Sequence, residues 1–191
     1  MASHTLSPMA HLRYTGTAEL ADPERAPLVA RVVAERGELL HLYQMLLHSP
    51  PLAEGWLHYL TRVRQRLDLP GDLRELVIMQ VAHLNGAPYE AAQHAPIARR
   101  EGVPAPALDA LPRWRDAPDR FTPAQQLALA LADTMTRQVQ VPAAQMQAVR
   151  DALGERQAVE LVGVIAAYNM VSRFLEALAI HHDDAREPPP G

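Results

Sequence analysis

The stretch LRELVIMQVAHL, residues 73–84, is almost wholly apolar after Glu75. A run of that length, apolar on nearly every side, predicts a helix buried over most of its surface. Such a helix is stable only if its neighbours in the chain cover it, so they must present apolar faces of their own. Asn85-Gly86 stops the run. Pro88 suits the first turn of the next helix, where its fixed φ fits and its missing N–H is not needed.

The flanking segments meet that demand. Between Pro27 and His48, Leu28, Val32, Leu39, Leu42 and Leu46 recur at helical intervals and predict one helix, which Ser49-Pro50-Pro51 ends unless it begins the next. Leu52 to Leu67 places Trp56, Leu60, Val63 and Leu67 on one face. Asp68-Leu69-Pro70-Gly71-Asp72 reads as a turn, with Asp72 as a candidate cap for the buried helix. Past Pro88 a helix carrying Tyr89, Glu90 and His94 ends near Glu101-Gly102. Val103 to Arg120, with several prolines, predicts a connector holding at most a short helix. Thr122-Pro123 opens a helix through about Arg137, Pro142 opens another ending at Gly154, and Arg156 to about Ala179 is a long final helix. No segment reads convincingly as a strand, so the fold class is all-α. The organisation expected is an arm over residues 1–26, one helical domain over 27–180 and a polar, proline-rich tail over 181–191.

Composition narrows the function classes. The apolar content is mostly Ala, Leu and Val, with only two Phe and two Trp, which suits closely packed helices. At 191 residues the chain can bury one substantial core. A net charge of -4 with basic and acidic residues intermixed leaves no footprint for DNA or RNA. There is no cysteine, hence no disulfide, thiolate metal site or thiol nucleophile. The first residues lack a signal-peptide pattern, and no apolar run reaches the roughly 18 residues of a membrane span. A soluble, cytoplasmic protein without nucleic-acid or membrane partners is expected.

The chemistry-bearing residues gather around the buried helix. On a helix starting at Pro88, Glu90 and His94 are four residues apart and share a face. Glu75 stands on the preceding helix, which the Asn-Gly turn folds back. A carboxylate facing an imidazole orients it and sustains proton transfer near neutral pH. The bland alternative is a surface Glu–His pair plus a glutamate at a helix start, where negative charge is favoured anyway. His83 lines a pocket or is a hydrogen-bonded core residue. His41 and His48, lacking a third convergent ligand, read as surface or interface residues. His181-His182-Asp183-Asp184 has metal-ligand residue types in a frayed tail, and no metal site is expected. A weak internal echo sets TRVRQRLDLPGDLRELVIMQVAHLNG against MQAVRDALGERQAVELVGVIAAYNMV, aligning Glu75 with Glu160 and His83 with Tyr168. It allows a duplicated helical unit.

The stretch RELVIMQVAHLNGAPYEAAQHAPIARREGV resembles the central motif of the carboxymuconolactone decarboxylase family, part of the alkyl hydroperoxidase D-like superfamily. LLHSPPLAEGWLHYL upstream and ELVGVIAAYNMVSRFL downstream resemble it too, so the likeness runs from about Leu39 to Leu178. It implies the alkyl hydroperoxidase D-like helical bundle. The redox relatives carry Cys-x-x-Cys followed four residues later by His. Matched residue by residue, their cysteines fall on Ala87 and Glu90, their histidine on His94 and their relay glutamate on Glu75. Thiol peroxidase chemistry is therefore not available here.

The decarboxylase branch acts on a lactone carrying a carboxylate. The resemblance implies His94 as the principal proton donor or acceptor, with Glu75 and Glu90 orienting it or setting its charge. Tyr89, Asn85, His83 and Tyr168 are candidate substrate contacts, and Arg62 and Arg173 are candidate anchors for a substrate carboxylate. Each arginine reads equally as an ordinary surface or interface residue. No cofactor is implied. The family is generally oligomeric, and the apolar helices offer more face than one small bundle covers, so a homo-oligomer is expected. Decarboxylation, isomerisation and hydrolysis of a lactone, and the pathway served (aromatic degradation or another), stay open. So does a non-catalytic small-molecule-binding or scaffold protein on the same fold.

Overall fold

The structure, a computed structural model, describes residues 10–182 and 184. Met1–Met9, Asp183 and Ala185–Gly191 lie outside the described residues, and with them the start of the expected arm and most of the expected tail. Among the described residues every regular element is helical, in keeping with the all-α reading. The chain divides into two compact units, residues 1–65 with 177–191, and residues 66–176.

The first unit contains α1 (Thr17–Leu20), α2 (Ala26–Arg36), α3 (His41–Leu46) and α4 (Pro50–Gln65). The single helix expected from Pro27 to His48 is two. Gly37 adopts φ 87° and its N–H donates to the Val33 carbonyl at 2.8 Å, ending α2 in the left-handed conformation that glycine adopts without penalty. The apolar spacing continues across this break, which is why periodicity conceals it. Arg36 secures the corner, donating to Tyr43 Oη at 3.1 Å and to Thr61 Oγ1 at 2.8 Å, so that one guanidinium joins α2, α3 and α4. His41 and His48 serve the chain ends. His41 Nε2 lies 3.2 Å from the Asp184 carbonyl and His48 Nε2 2.7 Å from the Arg13 carbonyl. His41 is buried rather than on the surface.

The second unit contains α5 (Gly71–Leu84), α6 (Pro88–Arg100), α7 (Ala105–Ala110), two 3₁₀ turns (Leu111–Asp116 and Pro118–Arg120), α8 (Pro123–Gln138) and α9 (Ala143–Ala177, whose last residue is grouped with the first unit). Every residue of α5 from Leu73 to Ala82 is buried, as its composition demands. Leu76 and Met79 of α5 pack with Ala98 of α6, Leu111 and Trp114 of the first 3₁₀ turn, and Leu129 of α8. The cap of α5 differs from expectation. Pro70 is the N-cap, and Asp72 lies inside the first turn, where its carboxylate accepts from Gln125 Nε2 at 2.9 Å. Thr122 and Gln125 close α8 with a reciprocal capping box.

The two expected C-terminal helices are the two arms of α9, which meet at a non-helical kink at Gly154, where φ is 77° and ψ 167°. On composition α9 is long and apolar enough to cross a bilayer, but 56% of its most apolar window is buried within the protein, as in a core helix. Side-chain-bearing residues avoid the Gly154 conformation, whereas the space around it is open, with nothing within 4 Å of an added Cβ. Gly154→Ala thus tests backbone strain alone and is expected to destabilise by about 1–3 kcal/mol in urea unfolding. A loss below a few tenths of a kcal/mol, as at an ordinary surface position, would show that the bend does not need glycine.

Candidate active site

Consecutive helices α5 and α6 supply the central pair. His94 Nδ1 lies 2.7 Å from Glu75 Oε2, and the other Glu75 oxygen accepts from Arg74 Nε at 3.1 Å. Glu75 is 1% exposed and His94 6%. Burial alone would raise the Glu75 carboxyl, but the hydrogen bond and charge of His94, joined by Arg74, outweigh it and hold the group below its ordinary range. An ionised carboxylate only accepts, so Nδ1 of His94 carries the hydrogen in this bond. Arg74 also reaches Glu101 through Nη2 at 3.2 Å. The Tyr168 ring of α9 meets the His94 ring edge-on, with centroids 4.9 Å apart and planes at 90°.

Glu90 occupies the first turn of α6, one helical turn before His94. It is 2% exposed, and neither carboxyl oxygen has a hydrogen-bond partner. An ionised carboxylate in that position would bear its full desolvation penalty, so the proton stays on. Burial, reinforced by the charge of Glu176, pushes its pKa well above the ordinary carboxyl value. Two glutamates that look alike in sequence are thus opposites, one ionised and paired, the other neutral and unpaired.

The other singled-out residues are placed as follows. Tyr89 is buried beside Glu90 in sequence. Asn85, the C-cap of α5, donates through Nδ2 to Ser172 Oγ at 2.6 Å and to Asn169 Oδ1 at 3.1 Å, tying α5 to α9. Arg173 is exposed and its Nη1 grips the same Asn169 Oδ1 at 2.5 Å. Arg62 is exposed on α4, in the first unit. His83 presents an exposed edge, and the protein behind it lowers its imidazole pKa by desolvation. With Ala82, Gly86, Ala87, Pro88 and Ala91 it lines a cavity of about 330 Å³ at the start of α6. A larger groove of about 700 Å³ lies at the bend of α9, among Val141, Met146, Val159 and Val162, and contains none of these residues. Among the described residues, no group of three or more His, Asp or Glu side chains is placed to hold a metal ion.

Arg74, Ser172 and Glu176 escaped the sequence reading. Adjacent residues on a helix ordinarily point apart, so spacing did not suggest that Arg74 would turn onto Glu75. The other two become visible only when α9 is laid against α5 and α6. Glu160, the echo partner of Glu75, instead accepts from the Leu69 N–H at 2.8 Å and pairs with Arg156.

Comparison with known proteins fits this geometry. Residues 50–134 match the carboxymuconolactone decarboxylase family. No curated protein sequence matches the chain. An alkylhydroperoxidase AhpD core structure, that of an uncharacterized peroxidase-related protein from Ralstonia eutropha JMP134, superposes with a TM-score of 0.77 at 18% identity, covering 93% of this chain and 94% of that one. The debrominase Bmp8, as a cysteine-to-alanine variant in complex with 2,3,4-tribromopyrrole, gives 0.75 at 18% identity, covering 92% of each chain. An uncharacterized peroxidase-related protein from Silicibacter sp. TM1040 gives 0.74 at 18% identity, covering 91% of this chain and 95% of that one. These similarities establish the fold. The cysteine-less chain thus has the alkyl hydroperoxidase D-like fold, and its residues 50–134 are similar to the carboxymuconolactone decarboxylase family.

Proposed function

We propose that the chain is a cofactor-independent, decarboxylase-type enzyme acting on a carboxylated lactone or similar small acid, with Glu90, His94 and Glu75 handling the proton. One observation carries this reading: a buried carboxyl without any hydrogen-bond partner stands one helical turn from a histidine locked to an ionised glutamate. A neutral acid held ready beside an oriented imidazole is the equipment for general acid catalysis. It also answers the electrostatic objection to an anionic substrate. With Glu90 neutral and Glu75 balanced by Arg74 and His94, the site does not repel a carboxylate as two ionised glutamates would.

Loss of carbon dioxide leaves the bonding pair on a substrate carbon, conjugated to the lactone carbonyl. Glu90 gives its proton to the conjugated carbon, and the resulting carboxylate is reprotonated from solvent by way of His94, so one proton is consumed per turnover. The cavity beside His83 and Ala87 is of a size that admits a small ring. Tyr89, Asn85, His83 and Tyr168 are proposed to position that ring, and Arg173 to hold the carboxylate. Work as a homo-oligomer is part of this proposal, since by composition α5 and the later half of α9 offer more apolar face than one small bundle covers. The test is turnover of 4-carboxymuconolactone by the purified protein, followed by substrate absorbance and carbon dioxide release. Absorbance loss matched mole for mole by carbon dioxide is expected. Loss without carbon dioxide would replace decarboxylation by isomerisation or hydrolysis, and no loss would overturn the substrate assignment.

A further inference from the structure

Asn169 of α9 is where three helices meet through one side chain. Its Nδ2 donates to Thr136 Oγ1 of α8 and to the Ile165 carbonyl of its own helix, each at 3.0 Å, which fixes the amide. Its Oδ1 accepts from Asn85 Nδ2, at the end of α5, and from Arg173 Nη1. The same Nη1 donates to the Asn169 carbonyl at 3.1 Å, so the guanidinium is folded back along α9 and held by two oxygens of one residue. Asn85 directly precedes Gly86 of the cavity wall, so the oxygen that holds Arg173 also bonds the rim of that cavity. Arg173 is held without being neutralised, for it forms no ion pair among the described residues. We propose that Asn169 is a positioning residue for substrate binding, which fixes the Arg173 guanidinium at the cavity rim so that its Nε and Nη2 take the carboxylate of a small ring acid.

The inference rests on the reading of Arg173 as the carboxylate anchor and adds what makes an exposed arginine selective. Such a side chain ordinarily gives up rotamer freedom when it grips an anion, and that cost offsets much of the gain. Asn169 restrains the head group before the ligand arrives, and the edge left over is the planar fork that matches a carboxylate. Asn169 is also an uncharged acceptor. An aspartate in its place would hold the guanidinium as closely but would cancel its charge.

The experiment is calorimetric titration of the full-length protein with 2-furoate, a five-membered-ring carboxylate, and with its uncharged amide, 2-furamide. Wild type, Arg173→Gln, Asn169→Ala and Asn169→Asp are compared, and circular dichroism confirms the fold of each. Wild type is expected to bind furoate about tenfold or more tightly than furamide, the scale of one charge-assisted pair. Arg173→Gln should erase that preference. Asn169→Ala should cut it by about two- to tenfold, the cost of immobilising one long side chain, through furoate alone. Asn169→Asp should erase it as Arg173→Gln does, an outcome that a purely structural role for Asn169 does not produce. A wild type without the preference, or a preference that survives Arg173→Gln, overturns the anchor. A preference undiminished in Asn169→Ala or Asn169→Asp overturns the role of Asn169. Turnover of 4-carboxymuconolactone is read separately. If the preference behaves as expected and that lactone is not turned over, the carboxylate site stands and the proposed reaction falls. Turnover with a preference indifferent to both residues leaves the reaction standing and removes this inference.

Discussion

Replacing His94 by alanine is expected to lower kcat by about 10²- to 10⁴-fold, the range that a positioned acid–base group supplies, and to leave KM within a few-fold. His94 joins α5 and α9 through its 2.7 Å bond to Glu75 and its edge-on contact with the Tyr168 ring. Removing it deletes the group proposed to reload Glu90 and leaves Glu75 with Arg74 alone. The 330 Å³ cavity proposed to take the substrate is not lined by His94, which is why the loss should fall on kcat. His94→Gln separates hydrogen bonding from proton transfer. It offers an N–H to Glu75 but cannot carry a proton, so it should fold as wild type and remain as slow as the alanine variant. Steady-state kinetics on 4-carboxymuconolactone decide the matter. Retention of more than a tenth of wild-type kcat in the glutamine variant would remove His94 from the proton path.

The fold was legible wherever local pattern and tertiary burial agree. Leu73 to Leu84 has no polar side to expose, so its burial follows from composition, and Asn85-Gly86 and Pro88 mark its end and the next start without ambiguity. The match of Glu75 and His94 to the family motif placed them correctly beside each other. What local pattern does not carry is the identity of the partner. Gly37 breaks a segment whose apolar spacing runs on undisturbed, because the break lies in the backbone and not in which residues are apolar. Glu90 in the first turn of a helix reads as a favourable charge near the positive end of the helix dipole. Its neutrality comes from burial and from Glu176, far along the chain. Asn85 reads as a substrate contact, yet its amide is engaged by Asn169 and Ser172 of α9. In each case the deciding group sits on an element whose pairing the sequence does not announce.

Glu75→Ala should destabilise the protein by about 3–5 kcal/mol, because it strips the partner from a buried guanidinium and a buried imidazole at once. Arg74 would retain only Glu101, which is 40% exposed, and His94 would lose its orienting bond. Glu75→Gln keeps the volume and an acceptor and should cost less, so the difference between the two variants isolates the missing acceptor and the cavity from the missing charge. The pH dependence gives an independent check. A carboxyl depressed in the folded state stabilises the protein above its unfolded value, near 4.5, and that stabilisation disappears as pH falls through the folded value. Glu90, raised in the folded state, behaves in the opposite sense: its contribution is complete below about 4.5 and is lost as pH climbs toward its folded value. Urea unfolding across pH should therefore show wild type losing stability at the acid end through Glu75 and at the alkaline end through Glu90. In Glu75→Gln the acid-side loss should shrink while the alkaline-side loss persists, and in Glu90→Gln the reverse. If both variants follow the wild-type curve at a constant offset, neither carboxyl titrates differently on folding, and the contrast between a charged and a neutral glutamate at this site is lost.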